Sequence, residues 1–242
     1  MRIGLGPISL ATASRAHLEE LAAAAVAGSF DSVWVAEARA AGAGGGLAAA
    51  ALLAQLVPIR VGAVLDFGGY HPLHAAEDIA VADLTSGGRI EVLIRGGSPE
   101  QLRLLVAALS GAHLRFDGDG LRVPARLEAN EPVPARLALN PRPAQPALPL
   151  WVEGTAADLA AELGVGLAAA WAGGAVPPGS GRWPGMVLCP GDVEAEDLLG
   201  AAGEGAAYFL IDTRTPADAA SAGRRLVGPL RMPGFPQWIG RQ

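Results

Sequence analysis

The stretch "YHPLHAAEDIAVADLTSGGRIEVLIRGGSPE", residues 70–100, decides the fold. It opens on a His-Pro turn in which Pro72 fixes φ at the first helical position. A helix follows, with Leu73, Ala76, Ala80 and Leu84 on one face, and it stops at Ser86-Gly87-Gly88. A strand then starts at Arg89, with Glu91 alternating against Ile90 and Val92. Ser98-Pro99-Glu100-Gln101 reads as a capping box for a second helix, over Leu102, Leu105, Val106 and Leu109, with Gly111 as its stop. Helix, strand and helix joined by short turns are the repeat of a parallel sheet covered by helices.

The same alternation extends in both directions. Strand-like runs lie at 2–5, 32–36, 59–65, 89–94, 148–152, 167–171, 186–188 and 207–211, which is the number a closed parallel barrel needs. Between the first two, Leu18, Leu21, Ala22 and Ala25 share a helix face with Glu19 and Glu20 off it, and Gly28 is the stop. Thr155 and Thr215 open further helices, each with Asp three residues on. The expectation is an α/β fold, a compact (β/α)8 TIM-type barrel forming one domain over residues 1–242. Two stretches break the rhythm: 113–147 has no clean period, and 172–184 has no helix between its flanking strands. Both are expected at the mouth or rim, the second marking a lost outer helix.

Composition excludes several chemistries. All 18 basic residues are Arg, so a lysine Schiff base and a Gly-Lys-Ser/Thr phosphate loop are both impossible. The net charge of -6, without a basic run, argues against a nucleic-acid partner. One cysteine, Cys189, makes no internal disulfide and reads as a core residue of a reducing compartment. The charge-free stretches 40–59 and 163–181 are interrupted by Gly42, Pro58, Pro177 and Pro178, and are too rich in Ala and Gly to span a bilayer. No signal peptide is apparent at the start. A cytoplasmic protein without membrane contact is expected.

Four segments, "SFDSVWVAEAR", "IRVGAVLDFGGYHPLHAAEDIAVADLTSGGRIEV", "LPLWVEGTAADLAAELGVG" and "EGAAYFLID" with "AGRRLVGPLR", resemble in order the bacterial luciferase-like flavin-dependent oxidoreductases. The resemblance implies a barrel, commonly a homodimer, that binds reduced FMN or the deazaflavin coenzyme F420 at the carboxyl ends of its strands. The activity it implies is monooxygenation or hydride transfer on a small organic substrate.

Under that resemblance, Glu37, Arg39 and His71 are the candidate catalytic residues. Many family members place a histidine directly after the position of Glu37, whereas this chain has Ala38. His71 reads equally as a helix cap. Ala63, Val64 and Asp66 correspond to a family bulge with a non-proline cis peptide under the flavin ring. Arg95 and Gly96 replace a small-residue pattern, so Arg95 is either a phosphate ligand or a salt-bridge arginine. Glu153, Gly154 and Thr155 resemble the phosphate-binding end, with strand, glycine, hydroxyl and helix start in sequence. Val35, Val64, Leu93, Val152 and Trp171 are candidates for an apolar wall.

Three other readings stay open. His71, His74, Glu77 and Asp78 have permissive metal spacing, but no metal site is expected from spacing alone. The divergent site fits a barrel that binds flavin or a partner subunit without turnover. Arg214, at the last strand end, offers a rival anion site and, with Glu37, a phosphate-sugar isomerase or lyase.

Overall fold

The computed structural model describes residues 1–37, 45–111, 114–124, 138–154, 157–172 and 183–231. Arg39 and Thr155, and the 173–182 stretch expected to mark the lost helix, lie outside the described residues.

Eight parallel strands close into a barrel: β1 (Arg2–Ser9), β2 (Ser32–Ala36), β3 (Arg60–Asp66), β4 (Ile90–Arg95), then β7 (Leu150–Glu153), β8 (Gly166–Ala170), β9 (Gly185–Cys189) and β10 (Ala206–Ile211), with β10 returning to pair with β1. Between β4 and β7, the short β5 (Phe116–Asp117) and β6 (Arg122–Val123) form a separate antiparallel hairpin. The outer layer is α1 (Arg15–Ala27), α2 (Gly45–Leu56), α3 (Pro72–Thr85), α4 (Pro99–Leu109), α5 (Ala157–Leu163), α6 (Ala195–Gly203) and α7 (Pro216–Ala222), with a π turn at Gly223–Val227 leading into α8 (Gly228–Arg231). None of these helices is long and apolar enough to cross a membrane.

The punctuation of the opening stretch is mainly structural. His71 caps α3, its Nδ1 accepting the N–H of Leu73 at 3.3 Å. At the far end Gly87 and Gly88 take φ of 68° and 77°, which glycine adopts without a Cβ clash. The Arg89 guanidinium donates to the carbonyls of Ala54 and Val57, at the end of α2, and to Ser86 O at 3.0 Å. A helix leaves its last four carbonyls without intrahelical partners, and Arg89 satisfies that of Ala54 together with that of Val57 just past the helix end.

The irregular stretch divides into two parts. Its hairpin docks on the mouth-side start of α4, where the Glu100 carboxylate accepts the N–H groups of Gly120 and Leu121 at 3.0 and 2.9 Å. Its later part lies at the opposite rim, where buried Asp83 accepts the backbone and side-chain N–H groups of Gln145 at 2.8 and 2.7 Å. The expected stop at Gly28 also differs in detail. Gly28 has φ of -78°, and the left-handed residue is Ser29 at 59°. A Cβ on Gly28 would lie 2.9 Å from the Phe30 ring, and one on Gly223 would lie 2.8 Å from the Gly28 Cα.

The barrel interior is a second core, separate from the one under the helices. Trp34, Val64, Leu93, Trp151, Ala168, Met186, Tyr208 and Leu210 fill it. Trp34 packs edge-on to Trp151 and to Tyr208, each at 6.1 Å between ring centroids. Glycines vacate the space those rings need. A Cβ on Gly62 would fall 1.9 Å from the Trp34 ring, and one on Gly166 2.3 Å from Trp151.

Candidate active site

Strand parity aims the charged side chains. The outer faces of the strands meet helices and are apolar, so strand charges must point into the barrel. On β4 that sets Glu91, Leu93 and Arg95 inward, and register places Asp66, Arg95 and Glu153 level with one another on three adjacent strands.

The lowest layer is a closed polar network. Glu91 is fully buried, accepting from Arg2 at 2.7 Å and from the Tyr208 hydroxyl at 2.6 Å, with Arg60 Nε at 3.3 Å. The Tyr208 hydroxyl also meets Ser32 Oγ at 2.6 Å and the indole N–H of Trp34 at 3.0 Å. Burial and the Glu91 charge push the Tyr208 hydroxyl well above its ordinary pKa, so it is a neutral donor here. Trp34 joins this network through its indole N–H, and Trp151 packs edge-on to the Tyr208 ring at 5.4 Å between centroids.

Above that plug lies an open cleft of about 930 Å³ at the carboxyl ends of the strands. Pro7, Ser9, Ala36, Glu37, Asp66, Gly68, Arg95, Gly96 and Glu153 line it. Five of the sequence-derived candidates, Glu37, Asp66, Arg95, Gly96 and Glu153, therefore converge from four strand ends. The Glu37 carboxylate accepts the N–H of Gly46 at 3.3 Å, which holds it against the first turn of α2. Arg95 Nε donates to Glu153 Oε2 at 2.5 Å, with both side chains about a third exposed. Gly96 takes φ of 74°, so the chain can leave β4 without presenting a Cβ to the cleft.

Other candidates fall elsewhere. His71 is exposed at its cap and does not line the cleft; its ring stacks edge-on to His74 at 5.6 Å. No group of metal-ligating side chains assembles around it among the described residues. Val64 does face inward, as part of the plug, but Ala63 packs in the outer core, so only its backbone can face a ligand. Of the expected apolar wall, Leu93 points inward, whereas Val35 and Val152 point outward and Trp171 packs against the outer core. Their sequence neighbours Trp34 and Trp151 take the inward places, a one-residue slip that reverses the face. The parity of Glu91, Arg95 and Glu153 carried that information in the sequence.

The expected bulge in β3 is absent. β3 keeps unbroken register with β2 and β4, and the cis bonds among the described residues precede Pro7, Pro124 and Pro141. Register shifts lie instead in β10, between Ala206 and Tyr208, and in β1, between Leu5 and Ile8, where Pro7 reaches the cleft wall.

Gly154, at φ of 72°, opens onto a neighbouring groove between α4 and α5, lined also by Gly97, Arg103 and Glu162. There Arg103 makes two hydrogen bonds to Glu162, at 2.7 and 2.9 Å. The rival anion site at the last strand end is separate from Glu37: Arg214 gives its carbonyl to His17 Nε2 at 3.0 Å and does not line the cleft. Beside it, Thr213 Oγ1 is buried without a hydrogen-bond partner. Cys189 is buried, and desolvation pushes its thiol up to about 12, so it has no thiolate to offer near neutral pH.

Part of the cleft wall carries little side-chain bulk. Pro7, Ala36, Gly68 and Gly96 contribute that part of the lining. The lining arginine Arg95 is already held by Glu153, and Arg103 in the neighbouring groove by Glu162.

No family model matches the sequence, and no curated protein matches it either. Solved structures do. The monooxygenase RslO1 from Streptomyces bottropensis superposes over 93% of this chain and 67% of its own, at 17% identity and a TM-score of 0.52. The coenzyme F420-dependent tetrahydromethanopterin reductase from Methanopyrus kandleri covers 94% and 63%, at 14% identity and a TM-score of 0.53. The EDTA monooxygenase EmoA from Chelativorans sp. BNC1 covers 84% and 65%, at 16% identity and a TM-score of 0.54. The chain thus spans about two thirds of the length of the structures it matches. At these identities the likeness establishes the fold alone: a closed parallel barrel like theirs.

Proposed function

We propose that this luciferase-like barrel is an oxidoreductase that binds reduced FMN or coenzyme F420 in the mouth cleft and acts there on a small organic substrate. The observation that carries the reading is convergence. Glu37, Asp66, Arg95, Gly96 and Glu153 are scattered over more than a hundred positions of sequence and meet in one cleft at the catalytic end of the barrel. The fold likeness supplies the cofactor class. When bound, the ring supplies hydride transfer or oxygen activation, and the protein supplies binding and orientation.

In this reading Trp34, Trp151, Val64 and Leu93 keep the ring at the mouth and exclude water from beneath it. Glu37, fixed by Gly46, presents a carboxylate to substrate and is the group best placed to hold a proton there. Gly154, with the groove it opens onto, is assigned to the cofactor tail. His71 contributes through the start of α3 rather than by touching substrate.

A second reading, binding without turnover, is favoured by one observation: no histidine is among the described residues that line the cleft. Anaerobic titration and turnover separate the two. Binding of either cofactor tighter than about 1 mM, roughly -4 kcal/mol, supports the shared part of both readings. Oxidation of the bound reduced cofactor that accelerates with an organic acceptor selects the first. No binding of either cofactor rejects both.

The assembly we propose is a homodimer through α2 and α3. Leu52 and Leu56 on α2, and Val81 and Leu84 on α3, are exposed by 67, 55, 49 and 47%, and the two helices pack side by side. An apolar face of this kind is what a self-complementary two-fold interface requires.

A further inference from the structure

From the contacts at the mouth we infer that Glu153 is a built-in competitor for anions at Arg95, and so turns a ligand's phosphate away from that strand end. Arg95 is the only guanidinium among the described residues that line the cleft, and its Nε donates to Glu153 Oε2 at 2.5 Å. The pair is built into the sheet, since β4 and β7 hold Arg95 and Glu153 in direct register. Both side chains are about two thirds buried, so neither charge is freely hydrated.

An incoming phosphate that takes Arg95 must first break this bond. It then leaves the Glu153 carboxylate unpaired, partly desolvated and next to the new anion. Charge-assisted hydrogen bonds are the strong ones, and truncating or displacing one partner costs more than the pair itself contributes. A ligand with a neutral tail meets no such cost, because Arg95 and Glu153 can stay paired below it. Gly96 has open space where its Cβ would be, so ligand access to the pair is not sterically blocked. Glu153 therefore discriminates by ligand charge rather than by ring shape. This deepens the proposed function, since it concerns how the same cleft receives its cofactor.

The test is calorimetric titration of the parent chain, Glu153→Gln, Arg95→Ala and the double variant with FMN, riboflavin and pyrophosphate, after thermal melts establish that each variant folds. Glu153→Gln keeps the shape and removes the charge. It should bind FMN about tenfold more tightly than the parent while riboflavin is unchanged, and adding Arg95→Ala should abolish the gain. The inference is overturned if the FMN-to-riboflavin affinity ratio is the same in Glu153→Gln as in the parent, or if the gain survives in the double variant. If no protein binds either flavin, the FMN form of the proposed function fails, and pyrophosphate still decides the inference: tighter binding to Glu153→Gln that depends on Arg95 supports it, and equal binding to parent and variant overturns it.

Discussion

Arg89 and Arg95 stand at the two ends of one strand and do different work. Arg89 closes the carbonyls of α2 away from the mouth, whereas Arg95 faces the cleft and is engaged by Glu153. Their residue type and spacing were legible in the sequence, but their partners were not, because Ala54, Val57 and Glu153 come from distant segments that only barrel closure brings near. Of the two sequence readings of Arg95, ligand and salt-bridge residue, the observed pair is the second. Cys189 supports a prediction at the same scale. Burial raises its thiol from about 9 to about 12, so the folded protein keeps the proton over a range where the unfolded chain loses it. This contribution to stability is fully present below pH about 9 and lost as pH rises toward about 12. Melting temperatures from pH 8 to 10.5 should fall, and Cys189→Ala should make the fall shallower. An identical slope in the variant would remove Cys189 from the account.

At the scale of elements, the eight barrel strands were legible because each is a short apolar run bounded by turn residues. The hairpin β5–β6 was not, since two-residue strands carry no measurable period. Face assignment was the weaker part. Apolar residues occupy both faces of a buried parallel strand, so hydrophobicity alone cannot say which of Val35 and Trp34 points inward. Glycines settle it afterwards. Gly62 lies opposite Trp34 on the neighbouring strand, and any Cβ there meets the indole. Gly62→Ala should therefore destabilise the barrel by about 3 kcal/mol, at the high end for overpacking, because the ring has no free space to enter. Adding Trp34→Phe should recover part of the loss in chemical denaturation. A Gly62→Ala variant as stable as the parent would contradict the plugged interior.

For the whole molecule, barrel closure follows from the alternation of strand and helix and from parity, with the charged strand residues forced inside. The location of the cleft follows from the same logic, since the loops after parallel strands gather at one end. What the cleft binds is less legible, because ligand chemistry depends on a few side chains in segments where this chain departs from the families it resembles. The outer surface carries its own prediction. If α2 and α3 form the two-fold interface, light scattering should report twice the 24.5 kDa chain mass, and Leu52→Glu with Val81→Glu should return it to 24.5 kDa without unfolding. A monomeric parent at all accessible concentrations would contradict that assembly.

The central claim, that the mouth cleft above the tryptophan plug is the cofactor site, is tested most directly by a crystal structure of the chain soaked with FMN. The account predicts ring density between β1 and β4 at the mouth, against Pro7, Ala36 and Gly96 and above Trp34 and Trp151. Density for the ring in the groove between α4 and α5, or beside Thr213 with the mouth cleft empty, would contradict it.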